Sequence, residues 1–140
     1  MITTILGKTI RWYQSDDWIF DPFQIRGNRV EYTLAQGPHT GRHATQVFDY
    51  QRVAPGVETT AWYEETGTIV HITWYLETQT THRFAALPAW LGQDISVSIG
   101  DNSDPAFVAK MRELDASLPD APRRILSDQG YFQVLSSATE

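Results

Sequence analysis

Apolar and polar residues alternate along most of this chain. Short runs rich in Val, Ile, Thr, Tyr, Phe and Trp take every second position, and Gly, Asp, Asn or Pro separate the runs. A period of two belongs to strands with one buried face. The pattern predicts strands over residues 9–14, 18–26, 29–35, 43–53, 58–64, 68–77, 81–87, 95–98 and 130–135. RGNR and EETG read as hairpin turns and LETQT as a looser one. One segment departs from this rhythm. In PAFVAKMRELDASLP, Phe107, Met111 and Leu114 recur at helical spacing. Asp104 is a suitable N-cap, Pro105 suits the first helical position, and Pro119 ends the pattern. This is one amphipathic helix of about three turns near the C-terminus, with its apolar stripe laid over one end or face of a sheet.

Short strands in sequence with tight turns suggest a mainly-β fold, an antiparallel meander closed into a single small barrel. A barrel of about eight strands is wide enough to hold side chains or one small ligand. The domain is expected to span residues 1–140, with its core over about 7–136, and SSATE reads as a short polar tail. The formal charge is −6, and the 11 Lys and Arg never form a block. That pattern argues against a nucleic-acid partner, which needs a basic stripe. No apolar run reaches the ~18 residues of a membrane span. The N-terminus lacks a basic region followed by a long apolar stretch, so the expected location is the cytoplasm. There is no cysteine, hence no thiolate nucleophile or disulfide.

The chemistry begins at WYEETGTIVHITW, residues 62–74. Glu64 shares a strand face with Trp62 and Thr60. If that face is the interior, Glu64 points into an aromatic pocket, where burial would raise its pKa and suit it as a general acid. Glu65 sits in the turn and is expected in solvent. The plainer reading, which the pattern alone favours, has both glutamates capping a surface hairpin. Arg42 opens a strand and shares a face with Ala44, Gln46 and Phe48. It is an edge residue in solvent, which spacing favours, or an internal cation able to grip a carboxylate with its planar fork. His39, His43, His71 and His82 lack the spacing of a metal set, so no metal site is expected. His71, between Val70 and Ile72, is expected to be packed and hydrogen-bonded.

Taken in order, these residues resemble a known family. GKTIRWY at the start, G-x-x-x-G-R at 37–42, WYEETGT at 62–68, LPAW at 87–90, then a helix and a final strand resemble the phenolic acid decarboxylases. The likeness runs from about Gly7 to Leu135. It implies a small closed barrel of the calycin or lipocalin-like kind, usually a homodimer. It implies loss of CO₂ from hydroxycinnamic acids without a cofactor. In that scheme a buried glutamate protonates the alkene carbon beside the carboxylate, an arginine orients the substrate, and two first-strand tyrosines grip the carboxylate. The glutamate falls on Glu64 and the arginine on Arg42. The tyrosine positions fall on Trp12 and Gln14, with Tyr13 between them facing the other way unless a bulge intervenes. His39 stands where the family has a small apolar residue.

The resemblance therefore implies Glu64 and Arg42 as catalytic residues. Trp12, Tyr13, Gln14, His39 and Trp62 shape a substrate pocket for a small aromatic or conjugated organic acid. His39 could be a second acid or base, a cationic partner for a carboxylate, or a lining of the barrel mouth. Two other functions stay open from the residues: an isomerase, hydratase or cyclase using the same glutamate, and a plain ligand-binding barrel.

Overall fold

The computed structural model describes residues 2–15 and 18–137. Eight strands close a barrel in simple chain order. They are β1 (Lys8–Gln14), β2 (Trp18–Arg26), β3 (Arg29–Gln36), β4 (His43–Ala54), β5 (Val57–Tyr63), β6 (Ile69–Tyr75), β7 (Thr80–Leu87) and β8 (Arg124–Ser137). Each pairs antiparallel with the next, and β8 pairs back onto β1, so no sheet edge is left open. The β7–β8 connection carries α1 (Ala89–Gln93), a 3₁₀ turn (Ile95–Ser98) and α2 (Pro105–Ser117). None of the described helices is long and apolar enough to cross a membrane.

Alternation decides what fills the barrel. Ile10 and Trp12 of β1, Val30, Tyr32 and Leu34 of β3, and Ile72 and Trp74 of β6 point inward and are buried. Trp12 stacks on Phe20 with ring centroids 4.2 Å apart and meets Trp74 at 5.5 Å. In β2 the parity breaks, because the register shifts between Phe20 and Phe23 and brings both rings inside. Pro22 lies within that bulge, where a missing N–H costs the ladder nothing.

Three features differ from the sequence pattern. Residues 95–98 form a 3₁₀ turn, not a strand; the Asp94 carboxylate accepts from the Ser96 N–H and starts the turn. Four alternating residues are too few to separate the two periods. The last strand begins at Arg124 rather than Gly130 and runs through the first two residues of the expected tail; residues 138–140 lie outside the described ones. Asp128 hid that strand, because an inward carboxylate breaks the apolar alternation. The amphipathic helix forms where the pattern puts it, with Asp104 accepting from the Ala106 N–H. It lies inside the β7–β8 connection, however, with a 14-residue strand after it.

The barrel end bearing the β4–β5 turn is plugged by the N-terminal segment. Ile5 is fully buried there, and its N–H donates to Glu58 Oε1 at 2.6 Å. The Thr4 hydroxyl donates to the same oxygen at 3.1 Å, and the Tyr50 hydroxyl donates to Oε2. Glu58 thus holds the plug through a carboxylate with no solvent exposure. Replacing it with Ala strands buried donors, and each stranded donor costs ~1–3 kcal/mol. Glu58→Ala should lower unfolding free energy by roughly 2–5 kcal/mol in urea titration, with β-sheet circular dichroism retained in buffer.

Candidate active site

The opposite end of the barrel holds a second set of buried polar groups. Here β5 gives way to the turn Glu64–Thr68, closed by the Glu64 N–H donating to Thr68 O at 2.8 Å and the Gly67 N–H donating to Glu64 O at 2.9 Å. Gly67 is required twice over. Its φ is +85°, and a Cβ there would lie 2.6 Å from Asp115 Oδ1. Asp115 of α2 in turn accepts from the Trp90 indole N–H of α1 at 2.9 Å. The two helices are thereby drawn over the turn that carries the glutamates.

Glu64 faces the interior with Trp62 and Thr60, only 8% exposed. Its Oε2 accepts from the Tyr32 hydroxyl at 2.5 Å and from the Trp62 indole N–H at 2.9 Å. Its Oε1 stands 3.7 Å from Arg42 Nη2 and takes no hydrogen bond from a described residue. Burial first, and then the neighbouring Glu64 charge, push the Tyr32 phenol well above its ordinary range, so it is a fixed donor.

Arg42 is an internal cation, 1% exposed, and not an edge residue. Its guanidinium fork goes to Glu65, with Nη1 to Oε2 at 2.7 Å and Nη2 to Oε1 at 3.1 Å. Nη1 also donates to Ser98 O at 3.0 Å. Burial alone would lower the Arg42 pKa, but Tyr32, Glu64 and Glu65 around it raise it overall. Glu65 was expected in solvent; its side chain is 5% exposed. Gln46 and Asn102 also donate to its Oε1, at 3.2 and 3.3 Å. Burial works to raise the Glu65 pKa, and the Arg42 hydrogen bonds and charge more than offset it, so the carboxyl lies below its ordinary range. The alternation rule has no reach into a turn, so a turn carboxylate with an internal partner looks solvated from sequence.

A second buried ion pair stands across β7 and β8. Arg83, 3% exposed, donates through Nε and Nη2 to Asp128 at 3.0 and 2.7 Å. Asp128 also accepts from Gln14 Nε2 at 2.8 Å and from the Ser15 hydroxyl at 2.6 Å. The Trp12 indole N–H donates to Gln14 Oε1 at 2.8 Å. Both first-strand donors considered for a substrate carboxylate are therefore committed inside the protein. Tyr13 lies on the outer face, stacked on Tyr131 with its hydroxyl donating to Gln133. Bulges do occur in β1, but they lie upstream of Trp12 and leave Tyr13 pointing out, against its expected place in the pocket.

Glu64, Arg42, Arg83, His39, Trp12 and Trp62 line one cavity of about 40 Å³. At ~10–15 Å³ per water, that holds about three waters. His39 is 8% exposed, with Nε2 buried and unpartnered. Burial first, then the charges of Arg42, Arg83 and Arg124, push its pKa down to about 3. It is a neutral imidazole at ordinary pH, which leaves no cationic form to meet a carboxylate there. The other histidines point elsewhere. His43 bridges Glu31 and Asp101, while His71 and His82 sit on the outer face. His71 is half-buried opposite Ala61 and Phe84 and makes no hydrogen bond to a described residue, contrary to its expected packing. Tyr32 and Arg83 were missed, although strand parity carried both: Tyr32 falls between Val30 and Leu34 on the inner face, and Arg83 between Thr81 and Ala85.

A closed barrel with an aromatic cavity, a buried carboxyl at its mouth and paired internal cations defines a small-molecule enzyme barrel. The chain belongs to the phenolic acid decarboxylase family, whose model matches residues 2–139. It is a decarboxylase by family, acting on a small phenolic acid. Among solved structures, one from Burkholderia vietnamiensis, described as a "putative beta-lactamase", is similar at 14% identity with a TM-score of 0.64, covering 96% of this chain and 100% of its own. At that identity the likeness concerns the fold alone. No curated protein matches the chain.

The His39 shift sets a pH dependence of stability. The unfolded imidazole binds a proton below its ordinary pKa of 6.5, while the folded one stays neutral down to about 3. Stability is therefore lost as pH falls through that window. Glu65 and Asp128, with depressed values, lose their contribution only below the ordinary carboxyl values of 4.5 and 3.8. Between pH 6.5 and 4.5 the Tm of His39→Phe should fall less steeply than that of the parent. Parallel curves would show that His39 does not drive the slope.

Proposed function

We propose that this chain decarboxylates a 4-hydroxycinnamate-type acid without a cofactor, with Glu64 as the general acid. The supporting observation is the asymmetry of the Glu64 carboxyl. Oε2 is held by two donors, Tyr32 and Trp62. Oε1 is left to carry the proton. The Oε1 proton passes to the alkene carbon that bears the substrate carboxylate, while the ring oxygen feeds electrons toward a quinone-methide intermediate. The C–CO₂ bond then breaks, and its electron pair restores the alkene and the aromatic ring. One proton is taken from solvent per carboxylate consumed, and it returns Glu64 to its starting state.

In this reading Arg42 is a positioning residue. Glu65 holds its fork, and its charge faces Glu64 Oε1 from 3.7 Å, ready to stabilise the carboxylate that forms when the proton leaves. Trp12 and Trp62 are the aromatic walls, and the cavity of about 40 Å³ must widen to admit a whole phenolic acid. Glu64→Gln should lower kcat by ~10²–10⁴ on hydroxycinnamates, followed by loss of ultraviolet absorbance and release of CO₂. Tyr32→Phe removes one of the two Oε2 donors and should cost roughly ten- to a hundredfold. A Glu64→Gln enzyme with most of its activity would remove the mechanism. Turnover without CO₂ would point to an isomerase or hydratase.

We also infer a homodimer built on the outer barrel face. Tyr63, Ile69 and Ile125 are exposed there, in one cross-strand row of β5 to β8 whose β7 member, Ala86, is buried. Exposed large apolar side chains on one barrel face favour association. Sedimentation should give a dimer for the parent chain and a monomer for Ile69→Lys with Ile125→Lys.

A further inference from the structure

The cavity is lined by further polar groups that make no hydrogen bond to Glu64. Arg83 and His39 both line it, at 3% and 8% exposure. Trp18 links them: the Arg83 guanidinium stands 4.7 Å over its ring, and the His39 imidazole meets it edge-on at 4.9 Å. Arg83 spends Nε and Nη2 on Asp128, and its Nη1 has no partner among the described residues. His39 Nε2 is buried without any partner. Unsatisfied buried nitrogens are uncommon in folded proteins and ask for an occupant. Here His39 Nε2 is one, and it lines the same cavity as Arg83, whose Nη1 stays free for a ligand.

We propose that Arg83 and His39 form the subsite that binds the carboxylate of the substrate, with Trp18 holding both in place. The proposal rests on the reading of the substrate as a phenolic acid, and adds where its acid group is held. The chemistry selects an anion with more than one acceptor oxygen. Arg83 supplies a permanent charge and the N–H groups of its open Nη1, and His39 as the Nε2–H tautomer supplies a neutral donor. Arg42 and Arg124 add positive potential around His39. The alternative donors near the cavity are spent, since Trp12 Nε1 goes to Gln14 and Thr81, and Gln14 Nε2 goes to Asp128. A phenol would bring a donor of its own to a site that already offers donors, which makes it the poorer match.

The test separates the carboxylate from the rest of the molecule and needs no turnover. Two unreactive ligands are titrated by tryptophan fluorescence: 3-(4-hydroxyphenyl)propanoate, which lacks the alkene, and 4-ethylphenol, which lacks the carboxylate. They are compared in the parent chain, in Arg83→Lys, which keeps the charge beside Asp128, and in His39→Phe, which keeps the bulk. The expected result is a loss of about tenfold or more in affinity for the acid in each variant, with 4-ethylphenol binding changed by less than about twofold. The unchanged phenol affinity also reports an intact fold. Equal losses for both ligands would place the phenol at this site and overturn the proposal, as would unchanged acid binding in both variants. Failure of the parent chain to bind the acid would overturn it too. If Glu64→Gln stays active while the acid-specific loss is seen, the mechanism fails and the subsite stands.

Discussion

The ion pair between Arg42 and Glu65 is the contact on which the barrel mouth depends. A buried pair is costly to form because both ions leave water, and it holds only when the remaining donors and acceptors are met. Here they are met by Ser98 O on the arginine side and by Gln46 and Asn102 on the glutamate side. Those partners come from β4, the 3₁₀ turn and the loop before α2. One pair thus ties the β5–β6 turn to the long connection that covers it. It also assigns the two neighbouring glutamates different work. The arginine fork closes on Glu65, and Glu64 stands off at 3.7 Å. In the proposed mechanism a carboxyl that carries and surrenders a proton cannot also be one half of a bidentate ion pair. On that reading, one of the two neighbouring glutamates neutralises the cation and leaves the other for chemistry.

Strand β5 repeats this logic over its length. A period of two puts Glu58, Thr60, Trp62 and Glu64 on the same inner face. The two carboxylates land at opposite ends of the barrel. Glu58 is enclosed by a main-chain N–H and hydroxyls, so it anchors the N-terminal plug. Glu64 receives both of its donors on one oxygen. Two glutamates on one inner face, one within β5 and one just past its end, thus differ in how many of their acceptor sites the fold fills.

Much of the fold was legible because alternation is a local signal. Strands β1 to β7 fall within a few residues of the pattern, and the helix Pro105–Ser117 was marked by its cap, its proline and its stripe. The site was legible where a residue sits on a regular strand or carries a family likeness, as Glu64 and Arg42 do. It was not legible where the decisive partner is distant in sequence. Asp128 lies 45 residues beyond Arg83, and Ser98 lies 56 beyond Arg42. Without those partners an inward arginine looks like an edge residue and an inward aspartate looks like a break in a strand. Glu65 is the sharpest case, since turn position argues for solvent and only the fold supplies the cation beneath it.

The two internal ion pairs have one consequence in common. Arg42 with Glu65 and Arg83 with Asp128 are each close to neutral, so the aromatic interior carries its cations without a large net charge. Asp128 is kept below its ordinary range despite burial, by Arg83, Ser15 and Gln14. The pairing fixes the guanidinium planes through two N–H groups each and leaves part of each cation turned to the cavity. Orientation is settled before a ligand arrives, which lowers the entropy lost on binding. The cost is space. Trp12, held by its hydrogen bond to Gln14, helps wall a cavity of only about 40 Å³. A substrate that enters must therefore displace side chains rather than water alone.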